Sequence, residues 1–181
     1  MTVETLNFLL ALGTVLLQAA TIGLLAAFFL RSRSAVAAEV SRIARRFGAA
    51  TGLTLVLLGS VLTLVYSELL GFPPCPLCWW QRVFLYPQTV IFALVRWTGE
   101  RVVAIYSFAL STLGLGVALY HHALQTLPAG SLPCPADGTV SCAQRYVFEF
   151  GYVTFPLMAA SLFAFLIALA LFTLGHPRED D

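Results

Sequence analysis

Long apolar runs separated by short polar breaks set the pattern of this chain. Thr5–Leu30, Phe47–Ser67, Val102–Tyr120 and Phe150–Leu174 are each about 20 residues or longer and contain no formal charge. A bilayer core of roughly 30 Å needs about 20 helical residues to cross it. A fifth run, Val83–Val95, is too short by itself, since the stretch from Val83 to Trp97 would rise only about 22 Å. To cross, this helix must begin earlier. Pro76 suits a first helical turn, where its missing N–H is no loss, and a helix from Cys78 to Trp97 rises about 30 Å. The pattern predicts an all-α integral membrane protein with five spans.

Composition agrees. The chain is 59% hydrophobic and 10% charged, whereas charged residues make up about a quarter of a soluble domain. The net charge of +1 gives no basis for a nucleic-acid partner. Every basic residue is arginine, and the arginines are unevenly placed. Loops on the cytoplasmic side are enriched in Lys and Arg. Arg31, Arg33, Arg42, Arg45 and Arg46 therefore mark Arg31–Arg46 as an inside loop, with Ser32–Glu39 its loosest part. Alternation then puts the N-terminus, the Pro73–Gln81 loop and the Gln125–Glu149 loop outside. The Arg96–Arg101 turn and the C-terminus, with Arg178, fall inside, leaving only Arg82 and Arg145 outside. The first run is too long for a signal peptide, and Glu4 is the only charge before it, so it reads as an uncleaved helix. Gly48 and Gly52 have the spacing of a small-residue packing face. No internal repeat is visible.

All four cysteines fall in the two larger outside loops, as Cys75-Pro76-Leu77-Cys78 and as Cys134 with Cys142. Outside is where disulfides persist. Static staples, a metal site and a redox relay are the three readings. A zinc site needs four ligands, and no His or Asp stands at ligand spacing, so no metal is expected. A Cys-x-x-Cys bridge closes a very short loop and contributes little loop-closure entropy. Strained, exposed bridges are the labile and oxidising ones. Spacing therefore moves the weight from staples to a relay.

The start of the third helix adds to this. Trp79 and Trp80 fit the aromatic belt at a membrane interface. Cys78 lies near the positive end of the helix dipole, which favours a thiolate. Arg82 is at i+4 from Cys78 and so on the same face one turn deeper. It either snorkels to headgroups or stabilises the Cys78 thiolate and a reduced, anionic acceptor beside it. A membrane quinone is the natural two-electron acceptor at that depth.

These residues resemble the DsbB/BdbC family of disulfide bond formation proteins. The match runs through Cys75-Pro76-Leu77-Cys78-Trp79-Trp80-Gln81-Arg82, Tyr120-His121-His122, Cys134, Cys142-Ala143-Gln144-Arg145 and Gly151 to Pro156. It covers Phe47 to about Leu174. The resemblance implies a four-helix membrane bundle over residues 47–181, with residues 1–46 forming an extra helix and an arginine-rich loop. It also implies a thiol oxidoreductase of a bacterial plasma membrane, monomeric, using ubiquinone or menaquinone and a DsbA-like thioredoxin-fold partner. By the same resemblance Cys78 is the quinone-proximal thiol and Cys75 its partner. Cys134 forms the mixed disulfide and Cys142 communicates with Cys75. Arg82 and His122 are expected at the quinone. Two features depart from the proteobacterial pattern: the first helix, and the short Cys134–Cys142 segment, which points to a short-loop branch. A vitamin-K-epoxide-reductase-like arrangement of the same parts is the nearest rival. For Pro87 and Gln88 in the third helix, a kink with a polar contact is one reading and packing is the favoured one.

Overall fold

The computed structural model describes residues 2–98, 102–128, 130–134 and 140–174. Arg101, Arg178 and the C-terminal tail lie outside the described residues. The fold is all-α: α1 (Val3–Leu30), α2 (Ala35–Leu64, continued by a π-helical turn Val65–Leu69), α3 (Pro76–Thr98), α4 (Val102–Thr126) and α5 (Phe155–Leu174). Four of these, α1, α2, α4 and α5, are long and apolar enough to cross a membrane. At 23 residues α3 has the length as well. Its polar residues Arg82 and Gln88 lower its hydropathy, but both are buried inside the protein. Leu16, Ile22, Phe29 and Val90 are more than 60% exposed, an apolar exterior that a soluble monomer seldom carries.

Local chemistry explains the helix ends. The Thr2 side chain accepts a hydrogen bond from the Thr5 amide at 3.3 Å and caps α1. Only a turn at Arg31–Arg33 separates α1 from α2, and the Ser34 hydroxyl caps α2 by accepting from the Ala37 amide. The expected Arg31–Arg46 loop is thus corrected. Most of it is helical, because Ala, Glu and Arg are strong helix formers, and Glu39 and Arg42 pair across one turn at 2.6 Å. α3 begins at Pro76, as the crossing length requires. α4 continues past the expected end of the run at Tyr120 to Thr126, so that His121 and His122 are on the helix, as is Gln125, which was expected to open the outside loop. α5 starts at Phe155 instead of Phe150. A tight turn precedes it, in which Glu149 and Val153 exchange two backbone hydrogen bonds. Phe150 and Gly151 both take left-handed backbone there, and Thr154 then caps the helix.

Helices α2, α3, α4 and α5 close a ring, each packed on the next, and α1 lies outside it against α5 and α2. The core draws Val56, Leu85, Phe92, Ala118, Phe163 and Leu166 from all four ring helices. Gly48 faces Leu169 of α5 and Gly52 lies under the Phe92 ring of α3. Gln88 has a polar role beyond packing: its Oε1 accepts from Ser107 (2.8 Å) and Ser111 (3.2 Å) of α4. Gly114 on α4 meets Phe163 so closely that an added Cβ would lie 2.5 Å from the ring. Overpacking of this kind costs about 1–3 kcal/mol. Gly114→Ala should therefore lower the thermal midpoint in detergent, and an unchanged midpoint would mean that the ring has room to turn.

Candidate functional site

The site forms where α3 begins. Cys75 sits at the cap position: its carbonyl accepts from the Trp79 amide (3.2 Å) and its Sγ from the Cys78 amide (3.4 Å). Three residues along one helical face bring Cys78 back to it, and the two sulfurs stand 2.9 Å apart as free thiols. A disulfide needs about 2.05 Å, so closing the pair takes only a small rotation. The two thiols face different surroundings. Cys75 is buried with Leu77 and Cys142, whereas Cys78 lines a cavity of about 440 Å³.

Arg82, Gln81, Thr63 and Tyr66 supply polar groups to that cavity, and Tyr146 borders it from the loop. Arg82 is 7% exposed. Its guanidinium donates to the Thr63 carbonyl of α2 at 2.8 Å and lies 5.1 Å from the Trp79 ring centroid. The side chain is turned into the protein rather than out from its surface. Its other N–H groups make no hydrogen bond among the described residues. Apart from Cys78 and Thr14, the remaining lining is apolar.

The second pair lies in the loop after α4. Cys134 and Cys142 are joined by a disulfide; Cys134 is exposed and Cys142 is buried. Between the two pairs sits His121, which is 1% exposed. Its Nε2 is 3.1 Å from the Cys142 carbonyl and 3.6 Å from Cys75 Sγ, and its Nδ1 is 2.9 Å from Gln81 Nε2. A carbonyl only accepts and an amide nitrogen only donates. The shorter contact, to the carbonyl, assigns the proton to Nε2, although the Gln125 amide nitrogen also lies 3.3 Å from that atom, and Nδ1 is left to accept. Gln125, one turn after His121, holds the same loop by donating to the Gln144 carbonyl at 2.9 Å. The Cys78 thiol, by its hydrogen bond, is the largest influence lowering the Cys75 pKa; His121 adds to it and burial opposes it.

Of the residues singled out in the sequence, Cys75, Cys142 and His121 come together, with Cys78 packed against them. Cys78 also shares the cavity with Arg82. His122 is apart from both: its Nδ1 pairs with Thr154 Oγ1 at 2.9 Å and ties α4 to the start of α5. The sequence reading assigned nothing to Gln81, Gln125 or Thr63. The i+4 spacing of Gln125 from His121 was the available signal for one of them.

The family model for disulfide bond formation protein DsbB matches residues 44–174. The chain belongs to the DsbB family. Curated members are similar along most of their own length. The SPbeta prophage-derived disulfide bond formation protein B of Bacillus subtilis is 38% identical over 62% of this chain and 76% of its own. The probable disulfide formation protein C of Halalkalibacterium halodurans is 37% identical, covering 67% and 85%. Disulfide bond formation protein C of Bacillus subtilis is 30% identical, covering 69% and 88%. No solved structure gives a significant match. This DsbB-family chain is thus a multi-pass membrane protein of the disulfide-forming type.

Proposed function

We propose that this DsbB-family protein is a thiol:quinone oxidoreductase of a bacterial plasma membrane. It reoxidises a DsbA-like thioredoxin-fold partner outside the cytoplasm and so drives disulfide formation in exported proteins. Two cysteine pairs set side by side in unlike surroundings carry this reading: Cys142 packs with Cys75, Cys134 is exposed, and Cys78 faces an apolar cavity. The arginine pattern supports an outside position for both pairs. In this reading the family domain runs from Phe47, and residues 1–46 are an addition to it.

Exposure of Cys134 supports attack there by the partner's thiolate. The Cys134–Cys142 bond breaks, a mixed disulfide forms at Cys134, and Cys142 leaves. The partner's second thiol resolves that bond and departs oxidised. Cys142 then attacks Cys75 of a closed Cys75–Cys78 bridge, displacing Cys78, and Cys134 resolves the new bond. The loop disulfide is restored and Cys75 and Cys78 are left as thiols. His121 holds the Cys142 backbone against Cys75 during this exchange. A membrane quinone supplies the terminal chemistry, taking the two electrons and two protons released as Cys75 and Cys78 close, and leaving as quinol. The residues fit it. The cavity lies within the roughly 300–1,000 Å³ common for small-molecule sites, and Arg82 keeps donors for a ring oxygen beside Cys78.

Right-side-out vesicles containing the protein and a quinone test the whole reading. Given a reduced thioredoxin-fold partner on the outside, they should accumulate quinol in step with the loss of partner thiols. Partner oxidation without quinol would remove the quinone from the scheme. No oxidation from outside would overturn the orientation.

A further inference from the structure

The cavity beside Cys78 has a wall that lies outside the four-helix ring. α1 contributes Leu9, Leu10, Gly13, Thr14 and Leu17 to it, about 12 Å of helix length. Every charged or amide group lining the cavity comes from α3, and the tyrosines come from the π-helical turn and the loop. Thr14 is the only polar residue on the α1 wall, and its hydroxyl is turned back to the Leu10 carbonyl at 2.8 Å. The wall therefore offers hydrocarbon alone. α1 is also anchored on either side of this stretch. Asn7 Oδ1 accepts from the Tyr66 hydroxyl. Further along, Gln18 donates to Ser161 at 2.9 Å and accepts from the Tyr152 hydroxyl at 3.1 Å. Between these anchors Gly13 leaves a notch, since a Cβ built there meets nothing within 4 Å.

We propose that α1 is the tail-binding wall of the quinone site and that Gly13 sets how much polyprenyl chain the site accepts. This rests on the quinone reading above. A ring held between Cys78 and Arg82 occupies the polar end of the cavity. The isoprenoid units attached to it carry no hydrogen-bonding group, so they pack where none is offered, along Leu9, Leu10 and Leu17. The helix that precedes the family match is thereby part of its substrate site.

Quenching of tryptophan fluorescence on titration with quinone reads binding directly in the detergent-solubilised protein, because Trp79 contacts Arg82. Two probes are compared, a quinone with a long isoprenoid tail and the same ring without one. Gly13→Phe should weaken binding of the tailed quinone roughly tenfold and change the tail-less ring by less than about twofold. Thr14 is buried, so the ring in Thr14→Phe has no route out to lipid and should give the same split. Gly23→Phe, on the same helix but away from the cavity and equally unobstructed, should change neither. Arg82→Leu should weaken both probes. If Gly13→Phe and Thr14→Phe leave the tailed quinone unaffected, or weaken both probes alike, while Arg82→Leu still weakens both, α1 is not a tail wall and the quinone reading stands. If Arg82→Leu changes neither probe, the quinone reading falls and this inference falls with it.

Discussion

A Cys134→Ser, Cys142→Ser double variant should reduce partner oxidation to background while quinone still reoxidises Cys75 and Cys78 at the normal rate. Thiol–disulfide exchange needs a thiolate to reach a sulfur in line. Cys75 is 3% exposed and packed against the loop, and Cys78 faces the cavity, so a soluble partner has no direct path to either. Cys134 is the exposed sulfur of the four. The converse variant, Cys78→Ser, should abolish quinol formation and still allow the partner to be trapped as a mixed disulfide on Cys134. Non-reducing electrophoresis for the trapped species and absorbance for quinol separate the two steps. Normal partner oxidation by the double variant would make the loop bridge a staple and end the relay.

His121→Ala should slow electron transfer between the two pairs about a hundredfold, since a misplacement of 1 Å between reacting groups costs on that order. The imidazole is the one side chain, among the described residues, with polar contacts to both Cys75 Sγ and the Cys142 carbonyl. Trapping of the partner at Cys134 and the quinone step at Cys78 should both survive. His121→Gln, which keeps a donor for the carbonyl, should recover part of the rate. A structural role alone would not move the titration of Cys75, whereas a direct contact with its sulfur should. Removing His121 removes one of the influences that lower the Cys75 pKa. The pH midpoint for Cys75 alkylation, followed by peptide mass mapping, should therefore rise, leaving less thiolate on the acid side. An unchanged midpoint together with an unchanged transfer rate would return His121 to simple packing.

The bundle was largely legible in the sequence because bilayer thickness is so strict a ruler. It forced the third helix back to Pro76, and with it placed Cys75 and Cys78 at a helix start. The ruler says nothing about how far a helix extends beyond the membrane. That is why the arginine-rich stretch before Phe47 read as a loop although its alanines favour helix, and why α4 was ended too soon. The choice between His121 and His122 was not legible either. Adjacent positions on a helix point about 100° apart, and only the packing of α4 against α3 and the loop settles which one meets the cysteines. The α1 wall was hidden for a different reason: an apolar face turned to a ligand cavity has the same composition as one turned to lipid.

The bond set joining Gln88 to Ser107 and Ser111 fixes something far from itself. A buried polar group that loses a partner in hydrocarbon costs up to several kcal/mol, and Ser107 and Ser111 stand one turn apart, so a slip of α3 along α4 by a turn, roughly 5.4 Å, takes Gln88 off at least one of them. Cys75 lies thirteen residues up the chain from Gln88, roughly 20 Å away if the helical rise is carried through. His121 rides on the same helix as the two serines. A deep polar latch thus acts as a depth gauge for the chemistry above it, holding the height at which the thiols on one helix meet the imidazole on the other.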